Sequence, residues 1–275
     1  MHIVNLVVGR AVDLVLWPFR GFSPWFGLVV VSLLTALLML EVYKLTSNQA
    51  AIRRAKDRIK AHLLEMRLYK DNMRVTLGAQ AGILKANLAY MAANLKPLAV
   101  MIVPLVLILA RLSLWFDRAP LHPGEETLVK VGLAATADPL SLDLRLELPP
   151  AVEATAPAVR IPDEREVVWR IRALAEGRGR ILLRAGDRTI EKTVIVGGGP
   201  LTSVSAVASR GSFPKRVLYP GEPPIPGGTP VRTVEVLYPA RRLAAFGVGV
   251  HWLIAYLVLS IAFGFALKSV FKVEI

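Results

Sequence analysis

The chain has 275 residues, 54% of them hydrophobic, and a formal net charge of +13. Apolarity on that scale, gathered in blocks, excludes an ordinary soluble protein, and the absence of cysteine excludes disulfides, thiol catalysis and thiolate metal sites. The charge would suit nucleic acid, but basic loops beside membrane spans have a commoner cause, the cytoplasmic bias of Lys and Arg.

Residues 1–23 read as an interfacial amphipathic segment. Leu6, Val7, Val12, Leu14, Val15, Leu16, Trp17 and Phe19 form a short apolar run, broken at Pro18 and Pro24; an irregular start to the first span fits as well. Arg10, Asp13 and Arg20 interrupt the run and no small-x-small cleavage site follows, so the segment is read as retained rather than as a removed signal peptide. A bilayer core of roughly 30 Å takes about 20 apolar residues as a helix. Residues 24–43, 96–116 and 244–268 meet that need as transmembrane helices one, two and three.

Residues 44–95 are expected to form a cytoplasmic helical hairpin. Ile52, Ala55, Ile59, Leu63, Met66 and Met73 recur at helical spacing, and Leu84, Leu88, Met91 and Leu95 repeat it after a weak point at Gly78 and Gly82. The two stripes are expected to satisfy each other as an antiparallel coiled coil with charged backs toward water or lipid headgroups. Met66, Met73 and Met91 are candidate contacts, since flexible thioethers accept varied apolar partners. Between Lys44 and Arg74 nine Lys/Arg face three acids, which places the hairpin in the cytoplasm and therefore the N-terminus and the long segment after span two outside. Arg241 and Arg242, beside the outer end of span three, disagree with Lys268 and Lys272 at its inner end; the larger loop is taken to decide.

After span two the period changes to two. Leu142, Leu144, Leu146 and Leu148 alternate with charged residues, as do Trp169 and Ile171. Further strands are expected at 128–133, 180–184 and 189–196, the last two joined as a hairpin through Ala185-Gly186-Asp187-Arg188. Residues 117–199 are therefore read as an extracytoplasmic immunoglobulin-like β-sandwich inserted between spans two and three. Residues 200–243 read as a Pro/Gly-rich linker in which 232–237 could return as a strand, and 269–275 as a cytoplasmic tail. The glycine run at 197–199 is no phosphate loop, because no Gly-Lys-Ser/Thr and no helix follow it.

No serine-histidine-acid set, paired carboxylates or nucleotide fingerprint is visible, so an enzyme is not expected. His2, His62, His122 and His251 fall in four segments without ligand spacing, so no metal site is expected either. Polar groups inside spans are the better lead, since lipid makes them costly unless they face a bundle interior or a wet cavity. They are Ser32, Thr35 and Glu41 in span one and His251, Tyr256 and Ser260 in span three. Arg111 is expected to snorkel toward the outer face. Pro104, in mid-span, is expected to kink or locally open span two.

The order of a first span, a basic methionine-bearing hairpin, a second span opening Leu95-Lys96-Pro97 and continuing Val100-Met101-Ile102-Val103-Pro104, and a third span resembles the YidC/Oxa membrane insertase superfamily. The likeness is to its three-span members, the archaeal YidC-like proteins and the insertase subunit of the endoplasmic reticulum membrane complex. It covers residues 20–116 and the last 30, with Lys96, Pro97 and Pro104 carrying the span-two motif, and leaves the β-domain unaccounted for. The resemblance implies three helices around a hydrophilic groove open to the cytoplasm, lined by Ser32, Thr35, Glu41, Tyr256 and Ser260. It implies a membrane insertase or assembly chaperone that handles hydrophobic segments of client membrane proteins and needs no cofactor. The implied location is a prokaryotic cytoplasmic membrane, with membrane lipid as surroundings and the ribosome or anionic lipid as candidate partners of the basic hairpin. Many bacterial members carry an arginine in the first core span, and none stands between Trp25 and Glu41 here. The alternative is a structural or accessory subunit of a larger membrane complex, with the β-sandwich binding an extracytoplasmic protein.

Overall fold

The computed structural model describes residues 2–211, 221–245, 247–271 and 273. The chain forms two compact units, one of residues 1–28 and 107–255, the other of residues 29–106 and 256–275.

Five α-helices are present among the described residues: α1 (His2–Leu16), α2 (Pro24–Thr46), α3 (Gln49–Leu68), α4 (Met73–Phe116) and α5 (Trp252–Leu267). α2 opens on Pro24, whose fixed φ suits a first helical position and whose missing N–H is no loss there. Asn48 caps α3 by accepting the Ala51 N–H at 3.0 Å, and Asn72 caps α4 by accepting the Val75 N–H at 3.3 Å. These caps put the hairpin turn at residues 69–72. The weak point expected at Gly78 and Gly82 lies inside α4 instead, and the reason is close packing: a Cβ on Gly82 would lie 2.5 Å from the His62 imidazole of α3. Small residues suit this close approach, with Ala79 and Ala86 buried in α4 and Ala55 in α3.

The expected mutual coiled coil is therefore corrected. The second stripe points away from the first arm, with Leu84, Leu88, Met91 and Leu95 exposed at 64%, 59%, 65% and 68%. α4 also runs unbroken for 44 residues through Pro97 and Pro104, so the second hairpin arm and the second apolar segment are one helix. No opening appears at Pro104. α2 and α4 are long and apolar enough to cross a membrane. The third segment is shorter than expected, because helix begins only at Trp252 and α5 has 16 residues. Residues 243–250 instead make a small hairpin, β10 (Leu243–Ala245) with β11 (Val248–Val250), turned at Gly247 with φ +81°.

The other nine strands form two antiparallel sheets. β1 (Glu126–Leu133), β3 (Val152–Ala154), β4 (Val159–Ile161), β5 (Glu166–Ala173), β8 (Val207–Ser209) and β9 (Val231–Val236) form the larger, in the order β3-β5-β1-β9-β8 with β4 also on β5. β2 (Leu144–Glu147), β6 (Gly177–Ala185) and β7 (Arg188–Val196) form the smaller. Val131, Ile171 and Val234 of one sheet and Ile181, Leu183 and Val194 of the other share one buried core, which makes a sandwich. The β6–β7 loop is the two residues Gly186-Asp187, with Gly186 at φ +60°, the first-position glycine that a type II′ hairpin turn requires. The segment 200–243 is more than a linker. β9 lies between β1 and β8 and buries Val231, Val234 and Val236, so the sandwich closes only with residues beyond 199.

Candidate functional site

In the helical unit, Ser32 and Thr35 come from α2 and Tyr256 and Ser260 from α5. Three of these four are buried, Ser32 and Tyr256 at 0% exposure. The Tyr256 hydroxyl faces those of Thr35 and Ser260. Yet Ser32 Oγ, Tyr256 Oη and Ser260 Oγ make no hydrogen bond of sound geometry. Of the residues expected to line a groove, Thr35, Tyr256 and Ser260 thus come together, but water does not reach Ser32 or Tyr256. Glu41 stands apart on an exposed position, Met73 and Met91 are exposed, and Met66 is half-buried. Pro97 is buried and Pro104 half-buried within α4, whereas Lys96 is exposed and lines a cavity of about 630 Å³ with Thr46, Ser47, Asn48 and Gln49.

In the β-bearing unit, charge and aromatic rings gather where α1, the start of α2 and the end of α4 meet the sandwich. Arg111 is paired with Asp13 of α1. Its Nε donates to Asp13 Oδ1 at 3.1 Å and its Nη2 to Asp13 Oδ2, while Trp115 Nε1 donates to Asp13 Oδ1 at 2.9 Å. The guanidinium passes Gly9, where a Cβ would sit 3.5 Å from Nε. The Arg20 guanidinium lies 5.2 Å from the centre of the Trp115 ring. Phe116 stacks on Trp252 at 6.3 Å, Trp252 Nε1 donates to Asp117 Oδ1 at 3.3 Å, and Trp25 Nε1 donates to the Ala244 carbonyl at 2.8 Å. Outside this buried ring Trp17, Phe22 and Phe26 are exposed. His251, expected within a span, is exposed in this collar and stacks on Trp252.

Arg241 is occupied inside the same unit, donating to the carbonyls of Arg118, Pro200 and Thr202; burial lowers its pKa from the ordinary arginine value. Lys192 of β7 is fully buried. Its Nζ donates to Glu222 Oε1 at 3.0 Å and to the carbonyls of Ser205 and Thr193 at 2.6 and 3.1 Å, while Glu222 Oε1 also accepts the Thr193 N–H at 3.2 Å. Sequence reading passed over Lys192, although its parity with Ile190 and Val194 put it on the inward face. A cavity of about 610 Å³ beside Glu222 is walled by Arg111, Arg178 and Arg180; two of these are already paired, Arg111 with Asp13 and Arg180 with Glu191. No group of three or more metal-ligating side chains occurs among the described residues.

No family model and no curated protein matches the chain. Among solved structures it is similar to the S-layer protein rSbsC(31-844), with a TM-score of 0.23 and 18% identity over 31% of this chain and 12% of that one. So low a score does not define a fold. The protein has two parts, a helical unit with two membrane-length apolar helices and a unit that carries an antiparallel β-sandwich.

Proposed function

We propose that the protein is a structural or accessory subunit of a membrane assembly, its apolar helices serving as the anchor and its β-sandwich held outside the membrane to bind a partner. The observation that carries this reading is the burial of Ser32 and Tyr256 at 0% exposure. Hydroxyls buried between helices without water serve helix–helix contact, as polar residues do in membrane bundles. The aromatic collar supports a membrane position, since Trp and Tyr concentrate where hydrocarbon meets headgroups. Occupation of Arg241 by three carbonyls weakens it as a topology signal, which leaves the basic hairpin to set a cytoplasmic side.

The insertase reading, an insertase-like helical scaffold that still moves client segments, has one observation in its favour. Ser32, Tyr256 and Ser260 lack hydrogen-bond partners, and an unpaired hydroxyl in lipid would gain if the helices parted to admit water or a client backbone. The natural chain lacks cysteine, so single cysteines at Ser32, Thr35, Tyr256 and Ser260 separate the two. Protection of all four from a water-soluble thiol reagent in native membranes supports the anchor. Labelling at all four, together with photo-crosslinks from Met66, Met91 and Thr35 to many different newly made membrane proteins, replaces it with the insertase.

A further inference from the structure

The exposed face of α4 has a period that neither a hairpin nor lipid explains. From residue 77 to residue 105, steps of four and three alternately land only on Leu, Ala, Met or Ile, a heptad seam sustained for four repeats. The rest of the chain packs on the other side of the helix, against Ala79, Gly82 and Ala86, and leaves the seam positions Leu77, Leu84, Leu88, Met91 and Leu95 more than half exposed. Lipid cannot cover them all. At about 1.5 Å per residue a 44-residue helix is about 66 Å long, roughly twice the hydrocarbon thickness. The hairpin end of the seam must therefore stand in water, where an uncovered leucine stripe is costly.

We propose that a second copy of this chain covers the seam, the two α4 helices forming a parallel, in-register coiled coil. The inference rests on the membrane reading, because two copies inserted alike are related by a twofold axis along the membrane normal, and such an axis sets identical helices parallel. The seam then meets itself from the hairpin into the bilayer. Its flanks allow this: in a parallel pair Gln80 faces Lys85 and Asn87 faces Ala92, so no like charges meet. Gly78 and Ala92 keep the flanks small enough for close approach.

The absence of native cysteine makes the test direct. Single variants Leu84→Cys, Leu88→Cys and Met91→Cys on the seam, and Ala89→Cys and Lys96→Cys at exposed positions off it, are oxidised in native membranes and run without reductant. The expected result is a reducible band of twice the chain mass, several-fold stronger at the three seam positions than at the two controls. Equal bands at all five positions, no dimer band, or a seam adduct of another mass overturns the proposal. Alkaline carbonate washing of the same membranes reads the anchor separately: release of the chain refutes the membrane reading, whereas retention without seam crosslinks refutes only the dimer.

Discussion

Lys192 shows how one side chain can sit against the rule for its type. It lies on the inward face of β7, where alternation would place an aliphatic residue, and its ammonium is held by Glu222 and two carbonyls. Removing one partner of a buried pair strands the other charge, whereas exchanging both for apolar groups is often neutral. Glu222→Gln is therefore expected to cost about 3–5 kcal/mol, and the double variant with Lys192→Met much less than the two single losses combined; a double-mutant cycle by urea denaturation checks this. Burial lowers the Lys192 pKa, with the attraction of Glu222 opposing the shift. The unfolded chain thus holds this proton to higher pH than the folded one, so stability rises with pH across the window between the two values, which closes near 10.5. Lys192→Met should abolish that rise, read as a wild-type gain on approach to pH 10.5 that the variant lacks.

At the scale of elements, contact chemistry decides what periodicity leaves open. Leu84, Leu88 and Met91 mark α4 as amphipathic, but Gly82 and its alanine neighbours decide which face meets α3, because only a surface without Cβ bulk admits the His62 ring. Gly82→Val should part the arms and cost about 1–3 kcal/mol through overpacking, seen as earlier proteolysis of the hairpin on heating, while Leu84→Ser on the opposite face leaves that contact intact. The helix also overrides its two prolines. Each removes one backbone bond, yet helix continues through Pro97 and Pro104. At β10 and β11 the opposite happens, and residues apolar enough for a span form a hairpin, because Gly247 takes a positive φ where the chain reverses.

For the whole molecule, the collar joins parts of the chain far apart in sequence. Asp13 and Arg111 are separated by 98 positions, and Trp25 reaches Ala244 across 219. On the proposed topology, protease added to cells with a permeabilised outer surface should digest the sandwich and leave α3 and the first turns of α4 protected. Cleavage within residues 49–80 under the same conditions, with the sandwich intact, reverses the orientation.

Hydropathy alone marked the membrane-length helices, alternation marked β2 and β5, and the Gly186-Asp187 turn marked the β6–β7 hairpin, because those patterns are local and need no knowledge of the neighbour. Cap chemistry at Asn48 and Asn72 was equally local, yet the glycines at 78 and 82 drew the hairpin turn to the wrong place. What covers a face lay beyond the sequence. The pairing of Asp13 with Arg111, the meeting of Thr35 with Tyr256, the inclusion of β8 and β9 in the sandwich and the outward turn of the α4 seam all depend on contacts between distant segments. Tertiary packing selects those contacts by shape and charge, and no period along the chain encodes them.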